Sequence, residues 1–154
     1  MEKQTYIAAT LIAALLTAPL SLQAATSKND ALFFSARAGQ AANVDKLLKQ
    51  GANINYGNRF RETAMHAAAA RGNVSMMQFL RSKGARHNTS TVNGWFPLHH
   101  AGRFGHVNAA RYLIQLGSPV RARTRDGKSV YDIALATRNR PMIQLLQRYF
   151  PRRS

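Results

Sequence analysis

Five histidines and six carboxylates are the side chains of this sequence able to hold a metal or move a proton. His99, His100 and His106 lie closest together, but zinc needs more ligands than the local sequence supplies. Neither His87 nor His100 has an Asp or Glu at ligand spacing. Beyond Glu2, the acids are Asp30, Asp45, Glu62, Asp126 and Asp132, few candidates for paired-carboxylate catalysis. Asp126 reads as a turn residue, and Ser129 is better explained as a helix cap than as the nucleophile of a Ser129–His–Asp132 triad. There is no Gly-rich phosphate cradle and no Gly-x-Ser-x-Gly elbow. The absence of cysteine excludes thiol catalysis, Cys-ligated zinc, disulfide staples and lipidation through an N-terminal Cys. The sequence therefore predicts no catalytic residue, no metal and no cofactor.

What it holds in excess is positive charge. Its 22 lysines and arginines against 6 acids give a net charge of +16. Such a balance bears on partners and association rate and not on fold, and it favours an acidic protein, a nucleic acid or an anionic surface. At 154 residues and 45% apolar, the chain has the size of one domain and the composition of a folded one.

Residues 1–24 read as a secretory signal peptide. Lys3 gives a short positive start, and Ile7 to Leu16 an apolar run too short to span a bilayer comfortably. Pro19 then breaks the run, and Ala24 offers a small residue at the cleavage position. Cleavage after Ala24 is expected, with residues 25–28 as a linker; the alternative is an uncleaved anchor. The brevity of the signal and the cysteine-free chain behind it place the protein, on this reading, in a bacterial periplasm.

Spacing organises the rest. Gly39, Gly72 and Gly105 are 33 apart, and so are Gly51, Gly84 and Gly117. His66 and His99 keep the same step, which next lands on Asp132. A period of this size marks an architecture in which each unit buries its apolar side only against its neighbours. Each period holds two short helical patterns around a glycine break. Inner helices are expected over about 29–38, 64–71, 97–104 and 130–137, and outer helices over about 43–50, 74–83, 107–116 and 141–148. Thr63, Ser129 and Asn139 stand at N-cap positions, with Pro141 in a first turn, while Gly51, Gly84 and Gly117 stand at C′. Met65, Met76, Met77 and Phe79 fall at helical spacing and belong to the core. Asn93-Gly94 and Asp126-Gly127 are hairpin-type turn signals between the helix pairs.

The stretches Ala64-Met65-His66-Ala67-Ala68 and Pro97-Leu98-His99-His100-Ala101, each followed by the periodic glycines, resemble the ankyrin repeat and its Thr-Pro-Leu-His-x-Ala signature. The resemblance implies a repeat domain over 29–150, in units of about 29–55, 56–88, 89–121 and 122–150, with 151–154 a basic tail. It implies an all-α solenoid of about four stacked helix-turn-helix repeats with short β-hairpin fingers. Thr63, His66, Gly72, Gly84, Pro97, His99, Gly105 and Gly117 become structural motif residues, and His106 a structural histidine beside them. Four positions depart from the motif: Phe33 in the first histidine slot, Arg61 in a finger glycine slot, Phe96 for threonine and Arg138 for the helix-break glycine.

The resemblance also implies a mode of action, in which fingers and inner-helix ends form a concave face that takes a protein partner without catalysis. On this chain that face holds Arg37, Arg71, Arg103 and Phe104 from the inner helices, and Arg59, Phe60, Trp95, Arg123 and Arg125 from the fingers. Arginine with aromatic residues is the composition of interface hot spots. The expected function is binding of an acidic protein by a monomer, in one subclass as an inhibitor or immunity-type protein. The alternative is an anionic non-protein surface: lipopolysaccharide, anionic lipid or nucleic acid. Lys46, Lys49, Arg81, Lys83, Arg111 and Arg148, on or at the ends of the outer helices, read as a solvated face.

Overall fold

The computed structural model describes residues 27–150; the expected signal peptide and basic tail lie outside them. Helices α1 (Lys28–Arg37) and α2 (Ala41–Lys49) form the first pair, α3 (Ala64–Ala70) and α4 (Val74–Ser82) the second. The third is α5 (Pro97–Arg103) with α6 (Val107–Gln115), and the fourth α7 (Val130–Ala136) with α8 (Arg140–Leu146), closed by a 3-10 turn over Gln147–Tyr149. The helices fall within a few residues of their expected spans. The chain begins its first helix early, at Lys28, because the Ser27 hydroxyl accepts from the Asp30 N–H at 3.1 Å. The last two residues of the expected 25–28 linker are thus a cap and a helical residue.

Inner helices α1, α3, α5 and α7 stack on one another in order, and the outer helices pack behind them. Seven-residue helices are marginal alone, so this stacking supplies their stability. Small residues permit it: Ala64, Ala67, Ala68 and Ala69 are all buried, and a Cβ on Gly102 of α5 would lie 2.5 Å from Val130 Cγ2 of α7. Larger side chains fill the seam between the layers, among them Met65, Met77, Leu80, Leu98, Leu113 and Leu146, all 1% exposed or less. Met65, Met76 and Met77 are core residues, and Phe79 packs half-buried against them.

Helix ends follow the glycine period. At Gly84, φ is +88° and the next residue's N–H, on Ala85, reaches back to the Leu80 carbonyl at 2.9 Å. Arg138, 33 residues beyond Gly105, holds the break after the inner helix α7 at φ +53°, and Arg61 turns its finger at φ +60°. The left-handed conformation is therefore kept where glycine is not.

The fingers are tight turns rather than the expected β-hairpins. Among the described residues the only pairing of strand type is one isolated antiparallel bridge, Arg123 with Ser129. Each finger closes within five residues, as in Thr91 N–H to the Trp95 carbonyl (2.9 Å), which leaves no length for a ladder. Neighbouring tips are joined instead by single bonds, Val92 N–H to the Phe60 carbonyl and Arg125 N–H to that of Asn93, both 2.9 Å.

Candidate functional site

Two buried histidines set the geometry of the concave face. At the start of α3, His66 Nδ1 accepts from the Thr63 backbone N–H (3.1 Å) and hydroxyl (2.9 Å). The proton therefore sits on Nε2, which donates to the Trp95 carbonyl at 3.1 Å. One repeat on, His99 accepts from the Phe96 N–H at 3.0 Å and donates to the Ala122 carbonyl at 3.1 Å. Phe96 supplies no side-chain cap, and the imidazole takes up its amide. Each ring ties the start of its own helix to the following repeat, His66 at the residue that closes the next finger and His99 just ahead of it. Burial pushes His66 down to about 3 and lowers His99 as well, so both rings are neutral.

His106 acts differently. It opens α6, its Nε2 lies 3.1 Å from the Ala70 carbonyl, and its ring covers Gly72. Gly72 has φ +66°, and a Cβ there would meet that ring at 2.5 Å, so two independent constraints demand glycine.

Trp95 is held by more than His66. Its N–H donates to Thr91 Oγ1 at 3.1 Å and its carbonyl also accepts the Thr91 N–H. The indole thus stands on a fixed backbone at the edge of a trough with two compartments. The larger, about 690 Å³, runs along the ends of α1, α3 and α5 and brings together Arg37, Arg71, Arg103 and Phe104, with Phe33. The smaller, about 280 Å³, lies under the fingers and is lined by Phe60, Val92 and Trp95. Glu62, His100 and Arg103 line both. The Arg103 guanidinium carbon is 5.5 Å from the Trp95 ring centre and 5.9 Å from that of Phe104, and Arg59 covers Phe60 at 4.7 Å. Phe60 and Phe104 are 46% and 55% exposed, unusual for large apolar side chains.

The trough cations are unpaired. All four ion pairs among the described residues lie elsewhere: Lys49 and Lys83 with Asp45, Arg123 with Asp132, and Lys128 with Asp126. Lys83, assigned from sequence to a plain solvated face, is 2.6 Å from Asp45 of the preceding repeat. Its ammonium and that of Lys49, which acts most strongly, hold the Asp45 carboxyl down at about 2. Arg123 and Arg125 line neither compartment; Arg123 turns to Asp132 at 3.2 Å and to the Gly127 carbonyl. The structure therefore gathers seven of the nine sequence-assigned contact residues at or beside the trough and leaves those two apart.

Two trough residues escaped the sequence reading. His100 packs edge-on to His66 and to Trp95, each at 5.4 Å, with its buried Nε2 unpartnered, and burial pushes it down to about 4. Glu62, fixed by Asn58 Nδ2 at 3.1 Å, is the one acid lining either compartment. Their signal was positional: they immediately flank the motif, one before its threonine and one after its histidine. No three His, Asp or Glu side chains among the described residues gather as a metal site.

A family profile for ankyrin repeats, in three copies, matches residues 7–91 and 83–150. The chain belongs to the ankyrin-repeat family. Ankyrin repeats are generic protein–protein interaction modules. The chain is 33% identical over 106 residues to a transient receptor potential cation channel subfamily A member 1 homolog of Caenorhabditis elegans, covering 69% of this chain and 9% of that one. It is 39% identical over 72 residues to protein phosphatase 1 regulatory subunit 12A of Mus musculus, covering 47% and 7%. It is also 30% identical over 94 residues to 26S proteasome non-ATPase regulatory subunit 10 of Dictyostelium discoideum, covering 60% and 40%. The chain thus spans less than a tenth of the first two relatives, and the likeness is one of ankyrin repeats.

Proposed function

We propose that this ankyrin domain is a non-catalytic binding module that takes an acidic protein partner in the trough of its concave face. One observation carries the reading: three exposed arginines from successive repeats line one cavity, and none is neutralised by an acid among the described residues. Like charges so grouped repel, and an anionic partner relieves the repulsion. The exposed Phe60 and Phe104 beside them suit a shaped protein surface better than a uniform polyanion. The N-terminal sequence pattern supports an exported, periplasmic setting for this role, and an inhibitor or immunity-type protein is one form it takes.

The test is affinity capture from a cell extract with the full chain as bait. Joint Arg71→Glu and Arg103→Glu reversal is expected to abolish capture. Reversal of Lys46 and Arg111, exposed on α2 and α6 and outside the ion pairs of the described residues, is the control. Equal loss in both variants would make general electrostatics, and so an anionic non-protein surface, the better account.

A further inference from the structure

The two compartments of the trough differ in chemistry, and the residues between them are not neutral to what can pass. The larger holds three unpaired arginines between Phe33 and Phe104. The smaller offers the Phe60 ring, the Trp95 indole and Val92. Its walls are held in register by the Val92–Phe60 backbone hydrogen bond and by the two hydrogen bonds between Thr91 and Trp95. Arg103 stands at the junction, near both Trp95 and Phe104.

Glu62 stands there too. In a trough with three arginines it forms an ion pair with none of them: Asn58 Nδ2 holds one carboxylate oxygen at 3.1 Å, and Asn58 Oδ1 accepts the Glu62 N–H at 3.0 Å. A ligand with charge evenly spread along its length, such as a nucleic acid, would carry negative charge past this carboxylate, and like-charge juxtaposition is costly at an interface. A polypeptide need not do so, because its backbone N–H groups are donors.

From this juxtaposition we infer that the occupant is an extended segment of the partner protein. One large apolar side chain seats against Phe60 and Trp95, a donor faces Glu62, and carboxylates follow towards Arg103, Arg71 and Arg37. The inference rests on the acidic-partner reading above and adds the order of chemical groups along the ligand. Specificity comes from the apolar compartment and from Glu62, and attraction from the arginines.

Fluorescence anisotropy with the full chain and labelled synthetic peptides tests it. Each peptide carries a pair of aspartates and one phenylalanine at a varied separation, with a matched alanine peptide, an oligoglutamate and a single-stranded oligonucleotide of equal charge, and anionic phospholipid vesicles. At the best separation the phenylalanine peptide is expected to bind about tenfold more tightly than its alanine match. Phe60→Ala and Trp95→Ala are expected to erase that ratio while leaving the alanine peptide's affinity nearly unchanged; Phe60 is exposed enough to be truncated without unfolding the chain. Glu62→Gln is expected to strengthen oligoglutamate and oligonucleotide binding. If acidic peptides bind and Arg71→Glu with Arg103→Glu abolishes it, but phenylalanine gives no advantage, the inference falls and the acidic-partner reading stands. If no acidic peptide binds, or the reversal changes nothing, both fall. Oligonucleotide or vesicle binding as tight as the best peptide also overturns the inference.

Discussion

His66 accepts the Thr63 amide at Nδ1 and donates from Nε2, so a second proton on the ring would cost the native chain an acceptor. The ring ordinarily titrates near 6.5 and burial has pushed it down to about 3, with His100 and His99 adding repulsion between cations. Between those values the unfolded chain binds a proton that the native chain does not. Stability is thus complete above the ordinary value and is lost as pH falls through the window, at up to about 1.4 kcal/mol per pH unit for each such histidine. His99 and His100, both lowered by burial, act with the same sign; beside His100, Glu62 opposes the lowering and Arg103 adds to it. Urea denaturation at pH 7.5, 6 and 5 is expected to show a falling midpoint. His66→Gln should be less stable at pH 7.5 by about 1–3 kcal/mol and should fall less steeply on acidification. Equal slopes in the two proteins would mean that another group sets the acid limit. The histidine was legible in the sequence as a periodic residue. Its bond partner was not, because Trp95 lies 29 residues on and only the stacking brings it near.

Helices and their ends were the part of the fold most open to sequence reading, since a 33-residue step fixes breaks, caps and apolar faces at once. Fingers were less so. Asn93-Gly94 and Asp126-Gly127 name a turn type, but the number of paired residues beside a turn depends on how far the arms run, and here the helices begin too soon. The breaks also carry unequal strain, which makes a paired prediction. Gly84 has φ +88° and open space within 4 Å of where a Cβ would stand, so Gly84→Val should destabilise through backbone strain alone, by about 1–2 kcal/mol. Arg138, at φ +53° in the place that Gly72 and Gly105 hold after α3 and α5, should gain on replacement by glycine, by about 1 kcal/mol or less. Thermal denaturation of both variants decides it. A lower melting temperature for Arg138→Gly would show that its side chain contributes more than its backbone costs.

Among the described residues, every ion-paired acid lies away from the trough, and Glu62 is the one acid that lines it. Asp45 joins the second repeat to the first through Lys83, while Asp126 and Asp132 neutralise the last finger. The concave side keeps its cations and their mutual repulsion, which ions screen within about 10 Å at 0.1 M salt. Raising sodium chloride from low to physiological concentration should therefore raise the melting temperature, and by less in Arg71→Gln with Arg103→Gln. An equal rise in both would place the repulsion elsewhere. The arginines were legible one by one as periodic surface positions. That Arg123 would stand apart was not, because it turns on Asp132 being in reach of Arg123.

That same Asp132 has a consequence for how firmly a further unit could be joined. In repeats two and three the imidazole is a forward connector, reaching from its own helix to the chain of the following unit. Asp132 takes the slot in repeat four and folds back on Ser129, accepting its N–H at 2.9 Å and its hydroxyl at 2.7 Å. A carboxylate so engaged has no proton to offer a downstream carbonyl, so repeat four, like repeat one with Phe33 in that slot, makes no forward bond of this kind. Duplicating residues 89–121 in place should lengthen the solenoid with one more connector and no loss of stability. A unit appended behind residue 150 should dock less firmly than that inserted copy, and Asp132→His should strengthen its docking.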